Sequence, residues 1–194
     1  MMAIGALLAL GLGFASWRLT APTSGVQGSS GVASLGGPFQ LVDQEGRPVD
    51  ERILKGRWSA VFFGYTYCQD VCPTTLATLG AVEREMGDRA KGLQTVLVSI
   101  DPQRDTPAQL KRYLDTPAFP PKVLGLTGRP EQVAAMAKAY RVYYAKHGDG
   151  PDYLMDHPSA IYLFDAQGRF DRLIDPAGGP KAVGEALDKA MRAG

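Results

Sequence analysis

From Trp58 to Tyr65 ("WSAVFFGY") and from Leu93 to Asp101 ("LQTVLVSID") the chain runs through short, nearly continuous apolar stretches rich in Val, Phe and Ile. Runs of this length without polar alternation predict strands buried on both faces, as in a parallel sheet. Between and after them the apolar positions change to helical spacing. Val71, Leu76, Leu79, Val82 and Met86 predict a helix from Asp70 to about Met86, with Asp70 as its N-cap. Thr106, Pro107 and Gln109 read as a capping box with Pro at the first helical position. "RPEQVAAMAKAYRVYY" (129–144) predicts a third helix starting near Pro130, and "GPKAVGEALDKAMRAG" (179–194) a fourth.

Two stretches alternate instead. "FQLVDQEGRPVD" turns through Asp43 to Gly46, and "IYLFDAQGRFDRLI" repeats the same Asp-x-x-Gly-Arg pattern at 165–169, so each predicts a β-hairpin. With a short strand at Val123–Leu126, the order is hairpin, strand, helix, strand, helix, strand, helix, hairpin, helix. Such alternation predicts an α/β fold with helices on both faces of a mixed central sheet and an added N-terminal β-hairpin. A thioredoxin-like fold has this arrangement, with its working cysteines where the first central strand hands over to a helix. Cys68 and Cys72 fall at that junction.

The N-terminus adds a second element. Residues 1–17 carry no charged side chain and end in Trp17, followed by Arg18, so 1–18 read as a membrane anchor or signal peptide. A poor cleavage site at Gly13 and Ala15 favours the uncleaved anchor, although Arg18 follows the apolar run, against the usual inside-positive order. Residues 19–36, dominated by Gly, Ser, Ala, Thr and Pro, read as a flexible tether, and 37–194 as the domain. The 21 basic and 20 acidic residues nearly cancel, and there is no basic stripe or aromatic RNA-binding signature, so nucleic acid is excluded as a partner class.

The candidate chemistry sits in "FFGYTYCQDVCPTTL" (62–76), which holds both cysteines. Inside a regular helix, residues four apart place their Cβ atoms about 5–6 Å apart. A disulfide wants about 3.8 Å, whereas two thiolates on one ion accept the wider gap. The spacing therefore leans toward metal holding without forbidding a disulfide. Placing Cys72 in the first helical turn favours its thiolate, and the charge of Asp70 opposes it.

A third donor must come from one of two histidines. His147, in "AKHGDG", reads as a solvated loop residue. His157, in "YLMDHPSAIYLF", directly precedes the strand of the last hairpin, and in a thioredoxin-like sheet that position packs beside the cysteine helix, often through a cis proline; Pro158 is the candidate. Met155 reads as packing. Two thiolates and an imidazole suit Cu(I), or Zn(II) with an open fourth position.

Four blocks carry a resemblance: "GYTYCQDVCPTTL" (64–76), "VSIDPQRDTPAQLKRYL" (98–114), "LTG" (126–128) and "YLMDHPSAIYLFDAQG" (153–168). Together, and in this order, they resemble the Sco/SenC copper chaperones, membrane-anchored thioredoxin-like proteins implicated in assembling the CuA centre of cytochrome c oxidase. The resemblance implies that Cys68, Cys72 and His157 bind copper, as Cu(I), Cu(II) or both, and that Asp101 and Asp156 orient or screen the site. It also implies cytochrome c oxidase subunit II as partner, with another copper chaperone or a thiol reductant upstream, and a domain on the extracytoplasmic side of a membrane. Gln69 stands where many members carry Pro, and Pro158 where a small hydroxyl residue is common. Two other functions compete. A thiol-disulfide reductase would use the same cysteines as a redox pair. A peroxiredoxin-like peroxidase would need Pro and Thr where this chain has Tyr65 and Gln69.

Overall fold

The computed structural model describes residues 35–193, which belong to one compact unit, Ser34–Gly194. The expected anchor (1–18) and most of the expected tether (19–36) lie outside the described residues. No helix among the described residues is long and apolar enough to cross a membrane.

The two apolar runs form β3 (Trp58–Gly64) and β4 (Leu93–Ser99), which pair in parallel over seven residues and are buried throughout. They lie in the middle of a seven-stranded sheet. The first hairpin, β1 (Gln40–Asp43) with β2 (Pro48–Asp50), attaches antiparallel to β5 (Leu124–Thr127), which runs parallel to β4. The last hairpin, β8 (Ile161–Phe164) with β9 (Phe170–Ile174), attaches antiparallel to β3. The order is β2-β1-β5-β4-β3-β8-β9, mixed as expected.

Four helices follow the predicted pattern: α1 (Val71–Met86), α2 (Pro107–Leu114), α3 (Pro130–Ala139) and α4 (Gly179–Ala193). Side chains of β8 alternate between two cores because successive residues of a strand face opposite sides. Ile161 and Leu163 pack with Leu79 and Val82 of α1 and Val183 and Leu187 of α4. Tyr162 and Phe164 join the other core, with Leu110 of α2 and Met136 of α3. The sheet is thus covered on both sides.

The fold departs from the sequence expectation in two places. The third helix stops at Ala139 rather than running to 144: Tyr140 and Val142 are both buried with exposed Arg141 between them, a two-residue period that a helix cannot serve. Arg141 takes the left-handed conformation (φ 54°) that turns the chain. Beyond it, the expected loop around His147 holds a second small sheet, β6 (Ala145–His147) paired antiparallel with β7 (Leu154–Asp156). Each strand has three residues, too few for periodicity to show, and the Gly- and Pro-rich segment between them dominates the sequence signal.

Candidate metal centre

β3 ends at Gly64, and the six residues Tyr65 to Asp70 cross to α1. Gly64 is required by packing: a Cβ there would lie 2.7 Å from Cys72 Sγ and 2.9 Å from the Phe62 ring. Asp70 occupies the N-cap position, yet its side chain makes no capping bond. The sulfur of Cys68 takes that role instead, accepting the backbone N–H of Cys72 at 3.4 Å. The helix terminus therefore favours a thiolate at Cys68, contrary to the sequence reading that gave this benefit to Cys72.

The two sulfurs are accordingly unlike. Cys68 is half-buried, and the thiol hydrogen bond from Cys72, helped by the Cys72 and Asp70 backbone, holds it far below the ordinary thiol range. Cys72 is fully buried; its bond to Cys68 and its desolvation both push it upward. The two shifts oppose each other, so Cys68 is the more readily ionised sulfur of the pair.

His157 reaches this pair from beyond β7. Its Nε2 lies 3.4 Å from Cys72 Sγ, and its Nδ1 lies 3.0 Å from the Pro158 carbonyl oxygen. A carbonyl can only accept, so the proton sits on Nδ1, and the Nε2 lone pair is left for the sulfurs' side. Phe62 and Tyr65 meet the imidazole edge-on, each with ring centroids 5.8 Å away. The Tyr65 hydroxyl also accepts the Met155 N–H at 3.3 Å. No cis peptide occurs among the described residues, so Pro158, the candidate for such a bond, is trans. The two rings and the Pro158 carbonyl fix the imidazole without that isomer.

The donor atoms of Cys68, Cys72 and His157 all lie within 4.8 Å of one another, the one such cluster of three or more potential ligands among the described residues. Two ligands bonded at about 2.3 Å to one ion sit at most about 4.6 Å apart, and nearer 4 Å in trigonal geometry. A contraction of under 1 Å closes the set around an ion. Two sulfurs and one imidazole form a soft set, matched to Cu(I) or Zn(II) rather than to Mg²⁺ or Ca²⁺.

The turn after β4 supports both ligand-bearing segments. Asp105, fully buried, accepts the Thr66 N–H (3.0 Å), the Thr66 hydroxyl (2.6 Å) and the Ser99 hydroxyl (2.7 Å), which pins the cysteine loop. Burial raises the pKa of Asp105 against these bonds. Thr106 caps α2 by accepting the Gln109 N–H, but the Gln109 side chain bonds Thr66, so the expected capping box is not reciprocal. Asp101, also buried, binds Arg104 and accepts the Tyr153 hydroxyl at 2.6 Å. The other carboxylate of interest, Asp156, pairs with His147 at 2.6 Å rather than with His157.

The sequence reading singled out the three donors and Asp101, and missed Phe62, Tyr65, Arg104, Asp105 and Tyr153. One signal was available: "DPQRDTP" places three charged residues directly after a buried strand, where solvation alone is a poor explanation.

Residues 27–192 match the SCO1/SenC family model. The chain is 40% identical over 144 residues to "Protein SCO1 homolog 1, mitochondrial" of Arabidopsis thaliana, a match spanning 73% of this chain but 42% of that protein. It is 38% identical over 159 residues to "Protein SenC" of Rhodobacter capsulatus, spanning 81% of this chain and 71% of the relative. Among solved structures, Bradyrhizobium japonicum ScoI with copper bound superposes with a TM-score of 0.74 at 43% identity, covering 80% of this chain and 99% of that one.

Proposed function

The chain belongs to the SCO1/SenC family, and from that membership we propose that it is a copper chaperone, anchored to a membrane by residues 1–18 and facing the extracytoplasmic side. In this reading copper is cargo, held by Cys68, Cys72 and His157 and passed to the CuA site of cytochrome c oxidase subunit II. One observation carries it: three soft donors from two distant segments converge within 4.8 Å in a chain whose relative of 43% identity is a copper-bound protein.

The residues divide the work. Cys68 offers a thiolate at the half-buried rim, so an incoming cation meets it first. Cys72 then gives up its proton and closes the grip from inside, and His157 Nε2, its lone pair free, supplies the third bond. Release reverses this by ligand exchange: target thiolates replace the sulfurs one at a time, and Cys72 regains a proton. A three-coordinate site leaves a position open for the first target ligand.

Mixing the copper-loaded protein with metal-free, reduced subunit II tests the reading. Movement of copper to the subunit supports it; copper staying on the donor contradicts it. A second reading has its own observation, the proton asymmetry of the pair. The Cys68 thiolate would attack a target disulfide sulfur, releasing one target thiolate, and Cys72, passing its proton to that thiolate, would then attack Cys68, releasing the second. Two electrons leave the cysteine pair, which ends as a disulfide. Subunit II supplied in oxidised form separates the two readings: reduction of its disulfide without copper transfer identifies the reductase.

A further inference from the structure

Two segments carry the three donors, and one side chain touches both. The Arg104 guanidinium carbon lies 3.5 Å from the Tyr153 ring centroid, 4.6 Å from that of Tyr67 and 5.7 Å from that of Tyr65. Tyr67 directly precedes Cys68, and Tyr153 directly precedes β7, which leads to His157. Arg104 Nε bonds Asp101, whose other oxygen holds the Tyr153 hydroxyl, and Nη1 donates to the Pro151 carbonyl at 3.1 Å. Its Nη2 is buried without an acceptor. Leaving such a donor unpaired is costly, so stability alone does not account for an arginine here.

We propose that Arg104 is a positioning residue, clasping the β6–β7 ribbon to the cysteine loop so that His157 Nε2 stands at the sulfurs before copper arrives. The inference rests on the copper reading above. The planar guanidinium stacks on Tyr153 while its edge reaches Asp101 and Pro151, a geometry that a lysine ammonium cannot reproduce. Arg104 touches none of the donor atoms; its influence passes through Tyr153 and Pro151 into the ribbon.

The test uses the reduced full-length chain in detergent and compares Cu(I) affinity, by competition with a chromophoric chelator, for wild type, Arg104→Met, Arg104→Lys, His157→Ala and the Arg104→Met/His157→Ala double variant. Loss of an outer positioning partner costs about 10–100-fold in metal affinity, and that loss is expected for Arg104→Met, with Arg104→Lys close to it. The double variant should bind no more weakly than His157→Ala alone, because the clasp acts only through that imidazole. In the metal-free protein, amide exchange over 153–157 should accelerate in both Arg104 variants while β3 and β4 stay protected. Wild-type affinity in Arg104→Met, or losses that multiply in the double variant, would overturn the proposal. Failure of the wild type to bind copper would sink the chaperone reading instead, and unchanged exchange over 153–157 would then refute the clasp by itself. Should Arg104→Met not fold, Arg104→Lys carries both measurements.

Discussion

His157 Nε2 stands 3.4 Å from Cys72 Sγ, although the two lie 85 positions apart in the chain. The contact is built from both sides: Gly64 leaves room for the sulfur, and two aromatic edges fix the ring.

Gly64→Ala is expected to weaken copper binding without removing a ligand. Its Cβ would stand 2.7 Å from Cys72 Sγ, and that sulfur belongs to a fully buried residue, so the sulfur or the strand must shift. Overpacking of this kind costs about 1–3 kcal/mol of stability. Displacement of a donor should lower Cu(I) affinity about tenfold, on the scale of other disturbances next to a ligand. Thermal unfolding and chelator competition on the same sample check both.

Copper uptake is expected to release about one proton per ion near neutral pH. With Cys68 held low and Cys72 pushed high, Cys72 is the sulfur that must lose a proton, while the His157 Nδ1–H facing the Pro158 carbonyl stays in place. Raising the pH removes the competing proton, so apparent affinity should rise about tenfold per pH unit from neutral pH toward the raised Cys72 value. Calorimetric titration in buffers of different ionisation enthalpy counts the protons. A count near two would mean that both cysteines start as thiols.

Gly80→Ala is expected to destabilise the fold, against helix propensity. In an exposed helix the change gains about 1 kcal/mol. Here a Cβ would lie 2.2 Å from the Ala118 carbonyl oxygen and 2.8 Å from the Phe119 carbonyl carbon, backbone atoms that cannot rotate away. Strain of more than about 2 kcal/mol outweighs the gain, so the melting temperature should fall by several degrees.

The central elements were legible in the sequence because their signals are local and long. β3 and β4 announced themselves as unbroken apolar runs, and α1 by its periodicity. The donors were legible for a different reason: Cys68 and Cys72 are the chain's two cysteines, and the inferred topology placed His157 beside them. What stayed hidden depends on distant contacts. Nothing near Asp105 in the sequence indicates that it binds Thr66, 39 residues earlier, nor near Arg104 that it stacks on Tyr153. The capping role of the Cys68 sulfur was hidden because Asp70, a favoured capping residue, occupied the expected position.

The most direct test of the three-donor site is a Cu(I) titration of the reduced protein against a competing chelator, comparing wild type with Cys68→Ser, Cys72→Ser and His157→Ala. The account predicts one Cu(I) per chain in the wild type, loss of competitive binding in either cysteine variant, and an affinity reduced but not abolished in His157→Ala. Wild-type affinity in His157→Ala would contradict it.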